Sequence, residues 1–168
     1  ITIGTYSDGY YLTSQRLAKM VGIHLQNVPY KGYPMALPDL VAGRIDMAYG
    51  DATATQELIK TGKIRPLAVT GTSRHVNYPD VPTVAESGYP DFSYYSWDVF
   101  LVRSETPAPV TEKLRTAIRR VLNGREYPAS LRANGSEPML DDLPAIQRMI
   151  TEEVTLYKSL IASLPKRE

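Results

Sequence analysis

Small hydroxyl-bearing residues and glycines gather in the segment Gly4-Thr5-Tyr6-Ser7-Asp8-Gly9-Tyr10, between a short apolar run and a helical pattern. A helix N-terminus offers free N–H groups and a favourable dipole to an anion, and the Thr5 and Ser7 hydroxyls add donors without adding charge. This arrangement suits reversible binding of a carboxylate. The same spacing is typical of an ordinary helix cap, in which Ser7 or Asp8 accepts from first-turn amides. Asp8 favours the cap, because its carboxylate repels an anion unless it points away.

Two further strand ends carry polar side chains, in Tyr30-Lys31-Gly32 and in Gly50-Asp51-Ala52-Thr53. Open α/β sheets bind ligands at the carboxyl ends of their strands. We therefore expect the Tyr30 hydroxyl to face a ligand carboxylate, and Asp51 to line the same cleft. Lys31 either pairs with the ligand or forms a structural salt bridge. Trp97 is the only tryptophan and either packs in the core or forms a cleft wall or hinge.

Catalytic and metal chemistry lack the necessary residues. Ser7 does not lie in the Gly-x-Ser-x-Gly pattern of a nucleophile elbow. The two histidines, His24 and His75, have no acidic residue at a spacing that indicates a catalytic pair. The absence of cysteine excludes thiol catalysis, disulfides and zinc–thiolate sites. We expect no catalytic residue, no metal and no cofactor. A hydrolase that uses Ser7 is an alternative that ester turnover can test.

The composition is that of a soluble globular chain without a strong charge field. The 19 basic and 18 acidic residues nearly cancel, so no broad potential draws the chain to nucleic acid or to a membrane. A length of 168 residues suits one domain or two small lobes. The 12 tyrosines far outnumber the 2 phenylalanines. Tyrosine suits surfaces that meet a partly polar ligand, although core packing explains the excess equally well.

Strand and helix patterns alternate along the first part of the chain, which predicts βαβ units and a largely parallel sheet. The predicted strands cover residues 1–4, 23–29, 44–49 and 64–70, and the predicted helices cover 9–20, 34–43 and 52–61. Gly22 is placed for a left-handed cap after the first helix, and Pro34 suits the first turn of the second.

The second part of the chain is predicted to be mostly helical. A loop-rich stretch at 71–91, with one short helix near 83–87, leads into a long mixed strand at 92–102. Three helices follow: one after the N-cap Thr106 and Pro107, one at 126–133 and one at 143–164. Their apolar stripes need a sheet to cover. The stripes comprise Val110, Leu114, Ala117, Ile118, Val121 and Leu122 in the first helix, and Ile146, Met149, Ile150, Val154, Tyr157, Ile161 and Leu164 in the last.

Several segments in register resemble the solute receptors of tripartite tricarboxylate transporters, the Bug family. They are Val28-Pro29-Tyr30-Lys31-Gly32, residues 40–47, the Gly-Lys-x-Arg-x-Leu-Ala-Val-Thr pattern at 62–70, Pro79-Asp80-Val81-Pro82-Thr83 with the residues up to Gly88, Trp97, and Thr106-Pro107. The resemblance covers essentially the whole chain. It implies a type II periplasmic-binding fold, in which two α/β lobes joined by crossing strands close around a small acid. It also implies an exported, periplasmic, non-enzymatic receptor that delivers its ligand to a membrane permease.

The resemblance also assigns parts of the chain. Residues 1–95 correspond to part of ligand-binding lobe two, and residues 96–168 to the crossover strand and the C-terminal helices of lobe one. The family's first lobe-one strand and its Gly-rich loop have no counterpart here, which implies an N-terminally truncated receptor that self-associates through the surface left uncovered. The ligand-binding residues expected from the pattern and the resemblance are Thr5, Tyr6, Ser7, Gly9, Tyr10, Tyr30, Asp51 and Trp97.

Residues 5–10 resemble the carboxylate-binding turn of lobe two, but Tyr6, Asp8 and Tyr10 depart from its commoner Ser/Gly-rich version. This leaves the ligand open between a di- or tricarboxylate and an aromatic or bulkier acid. The effector-binding domain of a transcription regulator, which shares this fold class, is the alternative function.

Overall fold

The computed structural model describes residues 1–52, 54–139 and 142–164. Three parallel strands, β1 (Thr2–Thr5), β2 (Gln26–Pro29) and β3 (Met47–Ala48), form a sheet in the order β2-β1-β3. Helix α1 (Asp8–Val21) connects β1 to β2, and α2 (Tyr33–Val41) connects β2 to β3. The carboxyl ends of the strands therefore lie at one edge of the sheet, and the loops that follow β1 and β3 meet there.

The core lies on the two faces of the central strand β1. Ile3 is fully buried on one face with Ala18 of α1 and Leu25, and Met47 and Tyr49 pack against this group. Gly4 faces α2, where a Cβ atom would lie 3.5 Å from Ala36 Cβ and 2.8 Å from Ile45 Cδ1. The absence of a side chain at Gly4 is what allows α2 to approach the sheet.

The sequence signals at both ends of α1 are confirmed. Ser7 has an extended backbone, and its side chain accepts a hydrogen bond from the Tyr10 amide. Gly22 has a φ of 75°, and its amide bonds to the Ala18 carbonyl. Pro34 lies in the first turn of α2, as predicted. These local residues fix where the helices begin and end, and therefore how the first loop leaves β1.

Four helices follow β3 along the chain: α3 (Gln56–Lys60), α4 (Ala108–Leu122), α5 (Glu126–Ala133) and α6 (Leu143–Ser163). The predicted bounds of α5 and α6 agree closely with the structure. The N-cap of α4 is Pro107, so the predicted cap at Thr106 is wrong by one residue. Residues 83–87 form a turn rather than a helix, closed by reciprocal bonds between Thr83 and Glu86.

Three strand predictions need correction. Residues 64–70 form only an isolated parallel bridge between Val69 and Thr83, the strand at 44–49 shrinks to β3, and residues 92–102 form no strand. An extended apolar segment becomes a strand only where a neighbour supplies a hydrogen-bonding partner. In 92–102 Phe100 and Leu101 are 76% and 85% exposed, so this part of the segment packs against no described neighbour.

The apolar stripes of the C-terminal helices are largely uncovered. None of the residues of α4 is buried, and α6 buries only Leu160, whereas Val154 and Ile161 of the predicted inner stripe are exposed. Among residues 1–52, 54–139 and 142–164, no helix combines the length and the apolar character that crossing a membrane requires.

Candidate functional site

The loop between β1 and α1 is anchored by hydrogen bonds to β2. Thr5 is 2% exposed, its hydroxyl donates to Asn27 Oδ1 at 2.6 Å, and its carbonyl accepts from the Tyr30 amide at 2.8 Å. The Thr5 side chain therefore fixes the position from which the loop starts. Its hydroxyl proton is already engaged within the protein.

The first turn of α1 is exposed and only weakly capped. Ser7 Oγ accepts from the Tyr10 amide at 3.3 Å, while the Ser7 carbonyl accepts from the Tyr11 amide at 3.0 Å. An N–H···O bond of 3.3 Å is longer than the usual range of about 2.7–3.2 Å. The helix-cap interpretation of Ser7 is therefore correct, and the weak bond leaves the Tyr10 amide able to bind a stronger acceptor.

Five aromatic side chains from separate segments surround this turn, and we call them the tyrosine cluster: Tyr6, Tyr10, Tyr33, Tyr49 and Tyr94. The ring centroid of Tyr6 lies 4.5 Å from that of Tyr10 and 5.6 Å from that of Tyr33. Tyr10 lies 5.4 Å from Tyr49 and 6.0 Å from Tyr94. These are the separations of favourable tilted and edge-on ring pairs. Flat apolar rings that carry hydroxyl groups therefore lie beside the exposed turn.

Four phenols of the cluster, those of Tyr6, Tyr33, Tyr49 and Tyr94, have a pKa above the ordinary value. Burial raises the pKa of Tyr33 and that of Tyr94 each to about 12. Burial is also the main cause of the raised pKa of Tyr6. The hydrogen bond with Tyr10 and the negative charge of Asp51 raise this pKa further. At neutral pH these groups are therefore uncharged hydrogen-bond donors, which suits an anion.

Tyr49 carries a polar atom without a partner. Its hydroxyl is buried, lacks a hydrogen bond to any described residue, and burial raises its pKa. Such a buried hydroxyl usually costs about 1–3 kcal/mol. Tyr49 packs on Tyr10 and Tyr94, so this costly feature lies within the tyrosine cluster.

Tyr30 points to the α2 side of the sheet. Its hydroxyl donates to Asp39 Oδ2 at 2.8 Å, and Asp39 also binds Arg44 Nη1 at 2.7 Å. The hydrogen bond from Arg44 is the largest cause of the lowered pKa of Asp39, and the bond from Tyr30 lowers this pKa further. Lys31 is exposed and forms no ion pair with a described residue. The only proton of the Tyr30 hydroxyl is therefore donated to Asp39, so this hydroxyl does not donate to a ligand carboxylate as the sequence led us to expect.

Asp51 lies beside the tyrosine cluster. Its Oδ1 accepts from the Ala54 amide at 3.0 Å, and its charge raises the pKa of Tyr6 and Tyr33. The loops after β1 and β3 therefore meet, as the parallel topology predicts. Thr53 of the same predicted cap lies outside the described residues.

Gly9 and Trp97 lie on the α6 side of the turn. The Tyr94 hydroxyl oxygen is 3.5 Å from the place where a Cβ atom of Gly9 would be. Trp97 Nε1 donates to Glu153 Oε2 of α6 at 2.9 Å. The charge of Glu153 contributes to the raised pKa of Tyr94, so Trp97 is linked to the edge of the cluster through Glu153.

The sequence identified the local members Tyr6 and Tyr10 but missed Tyr33, Tyr49 and Tyr94, which tertiary structure brings together. The excess of tyrosine was the only signal for them. Within residues 1–52, 54–139 and 142–164, no three His, Cys, Asp or Glu side chains are grouped for a metal ion. His75 accepts from the Asn77 amide and lies against Tyr78. The arrangement offers neutral hydrogen-bond donors, which suit an anion.

This parallel sheet and its helices share the fold of solved periplasmic binding proteins. Rpa4515 of R. palustris, solved with adipate, superposes with a TM-score of 0.81 at 29% identity, over 95% of this chain and 54% of that one. The periplasmic binding protein BugD gives a TM-score of 0.78 at 25% identity, over 96% and 56% of the two chains. The fold class expected from the sequence is thereby confirmed.

The family follows from the sequence match. The family model described as "Tripartite tricarboxylate transporter family receptor" matches residues 2–165, and the chain belongs to this family. An Agrobacterium vitis relative, the "UPF0065 protein in the TAR-I ttuE-ttuC' intergenic region", is 33% identical over 99% of this chain and 49% of its own length. The chain therefore spans about half the length of this relative. The resemblance to the Bug receptors is confirmed.

Proposed function

We propose that this chain is a ligand-binding part of an extracytoplasmic receptor for a small carboxylate, which the receptor delivers to the permease of a tripartite tricarboxylate transporter. The observation that carries the proposal is the first turn of α1, where an exposed Ser7 caps the Tyr10 amide weakly at 3.3 Å among neutral phenols. A carboxylate is a stronger acceptor than a serine hydroxyl and gains from the helix dipole.

Each expected site residue has a role in this proposal. The Tyr10 amide and the Ser7 hydroxyl donate to the carboxylate, and Thr5 holds the loop on β2. Gly9 leaves room for the Tyr94 hydroxyl next to the turn. The Tyr6 and Tyr10 rings contact the body of the ligand. Asp51 and Trp97 line the outer part of the site, and Tyr30 supports the sheet next to it through its bond to Asp39.

The tyrosine cluster favours an aromatic acid over a dicarboxylate on this lobe. Flat rings at 4.5–6.2 Å centroid separations present faces and edges that complement another ring. The negative charge of Asp51, which already raises the pKa of Tyr6, disfavours a second carboxylate nearby. We therefore propose that the preferred ligand carries one carboxylate on an aromatic ring.

Family membership supports the remaining parts of the proposal. We propose that the receptor works in the periplasm, without catalysis and without nucleic acid, and that residues 1–95 and 96–168 supply parts of its two lobes. Rpa4515, which was solved with adipate, supports a carboxylate as the ligand. The family match gives no support to an effector-binding domain of a transcription regulator, nor to a hydrolase that uses Ser7.

Isothermal titration calorimetry with benzoate, adipate and benzamide tests this proposal. Benzoate should bind most tightly, adipate more weakly, and benzamide, which lacks the charge, not at all. Tyr6→Leu should weaken benzoate binding by up to about tenfold, since a pair of aromatic rings contributes roughly 0.5–1.5 kcal/mol beyond the area it buries. Tyr127→Leu is the matched control, because Tyr127 is an exposed tyrosine of α5.

The absence of saturable heat with both benzoate and adipate would contradict the receptor proposal. Equal binding of benzoate and benzamide would contradict the role of the carboxylate, and a preference for adipate would contradict the aromatic class.

A further inference from the structure

Thr13 connects the first turn of α1 to the C-terminal helix. It is 0% exposed, and its hydroxyl donates to the Gly9 carbonyl at 2.8 Å. The same oxygen lies 3.0 Å from the hydroxyl oxygen of Tyr157 on α6. Thr13 also lies near Tyr94, where it partly offsets the rise in the Tyr94 pKa that burial causes. One buried hydroxyl thus links α1, α6 and the tyrosine cluster.

The direction of these bonds is fixed by the number of protons. A threonine hydroxyl has one proton and two acceptor lone pairs, and a carbonyl can only accept. Because Thr13 donates to the Gly9 carbonyl, Tyr157 must donate to Thr13. The bonds therefore run in one direction, from Tyr157 to Thr13 to the Gly9 carbonyl.

The Gly9 carbonyl belongs to the same peptide unit as the Tyr10 amide. Hydrogen bonds in a chain polarise one another, so a donor on the carbonyl makes the N–H of that peptide a better donor. The plane of a peptide is rigid, so holding the carbonyl also holds the direction of the N–H. The Tyr10 N–H is the group that Ser7 Oγ caps at 3.3 Å.

We propose that Thr13 and Tyr157 are positioning residues that orient and polarise the Gly9–Tyr10 peptide, so that the Tyr10 amide binds the ligand carboxylate. This inference rests on the proposed function. Neither residue contacts the ligand, and both act through the peptide between them and the turn. The placement of α6 on α1 therefore sets the affinity of the site.

Single-hydroxyl variants test the relay. Thr13→Val removes the bonds to the Gly9 carbonyl and to Tyr157 at nearly constant shape, while Tyr157→Phe removes one donor. Thr13→Ser retains the hydroxyl. Ser163→Ala is the matched control, because it removes the bond from Lys19 at the far end of the α1–α6 contact.

We expect Thr13→Val to weaken benzoate binding about tenfold, since a net hydrogen bond contributes roughly 0.5–1.5 kcal/mol. Tyr157→Phe should weaken it about threefold, and the double variant should bind no more weakly than Thr13→Val alone, because both act through one bond. Thr13→Ser and Ser163→Ala should bind like the unmodified chain. Urea unfolding establishes that each variant is folded. Wild-type affinity in a folded Thr13→Val variant would overturn the inference, as would an equal loss in Ser163→Ala.

A readout without ligand separates this inference from the proposed function. Amide hydrogen exchange at Tyr10, followed by NMR, should accelerate in Thr13→Val and Tyr157→Phe but not in Ser163→Ala. If the unmodified chain binds no acid, the proposed function fails, and unchanged Tyr10 exchange in both variants then overturns the positioning relay as well.

Discussion

Helices α1 and α4 are similar in length and both carry an apolar stripe, but only α1 buries residues. The buried residues of α1 are small or polar, namely Thr13, Ser14 and Ala18, and they let the helix lie close to β1 and α6. The stripe of α4 is more apolar, yet Leu114 is 44% exposed. An apolar pattern identifies the face that favours burial, and a neighbouring element decides whether burial occurs.

The difference also separates two roles. The buried contacts of α1 hold its first turn among the tyrosines, so packing in this region is coupled to the candidate site. Helix α4 packs mainly against α5, whereas α1 packs against β1 and α6. We therefore expect substitutions around β1 and α1 to change both stability and ligand binding, and substitutions in α4 to change neither strongly.

The largest expected contrast is between Ile3→Ala and Leu114→Ala. Ile3 is fully buried in the central strand, so its truncation should lower the free energy of unfolding by about 2–5 kcal/mol. Leu114→Ala removes a half-exposed side chain and should cost less than about 1 kcal/mol. Urea denaturation of the two variants checks the contrast. Similar losses would mean that α4 is packed as tightly as the sheet.

A smaller contrast compares two helix caps. Asp142 accepts from the Ala145 amide of α6 at 2.9 Å, so Asp142→Ala should cost about 1 kcal/mol of stability. Ser7 accepts at 3.3 Å, so Ser7→Ala should cost roughly 0.5 kcal/mol but should weaken benzoate binding several-fold. Thermal unfolding and calorimetric titration of both variants separate the two effects. If Asp142→Ala also weakens binding, the caps do not differ in function.

The smallest effect at neutral pH concerns the ionisation of the tyrosine cluster. Burial raises the pKa of Tyr33 in the folded chain to about 12, above its ordinary value of 10.0. The neutral phenol therefore contributes stability that is fully present below pH 10 and is lost as the pH rises through 10 to about 12. Tyr33→Phe should reduce the alkaline loss, measured by urea unfolding between pH 9 and pH 12. An unchanged pH profile would show that Tyr33 ionises as easily as in the unfolded chain.

Local signals explain what the sequence predicted well. The residues Ser7 and Gly22 fix the ends of α1 through contacts within a few positions, and the bounds of α5 and α6 follow from periodicity. The strands expected at 64–70 and 92–102 depend on partners far away in the chain, which a pattern of single residues cannot specify.

The candidate site divides in the same way. Tyr6 and Tyr10 are neighbours of the cap and were predicted with it. Tyr33, Tyr49 and Tyr94 join them because parallel strands bring separate loops to one edge, and their raised pKa values depend on burial that only the folded chain has. The hydroxyl bonds of Thr13 likewise depend on where α6 packs.

The most direct test of the account is a benzoate titration followed by the backbone amide signals in two-dimensional NMR. We predict saturable shifts at residues 5–11, largest for the Tyr10 amide, and none along α4. Saturable shifts centred on α4 or α5, or no shifts at all, would contradict the assignment of the ligand site to the turn between β1 and α1.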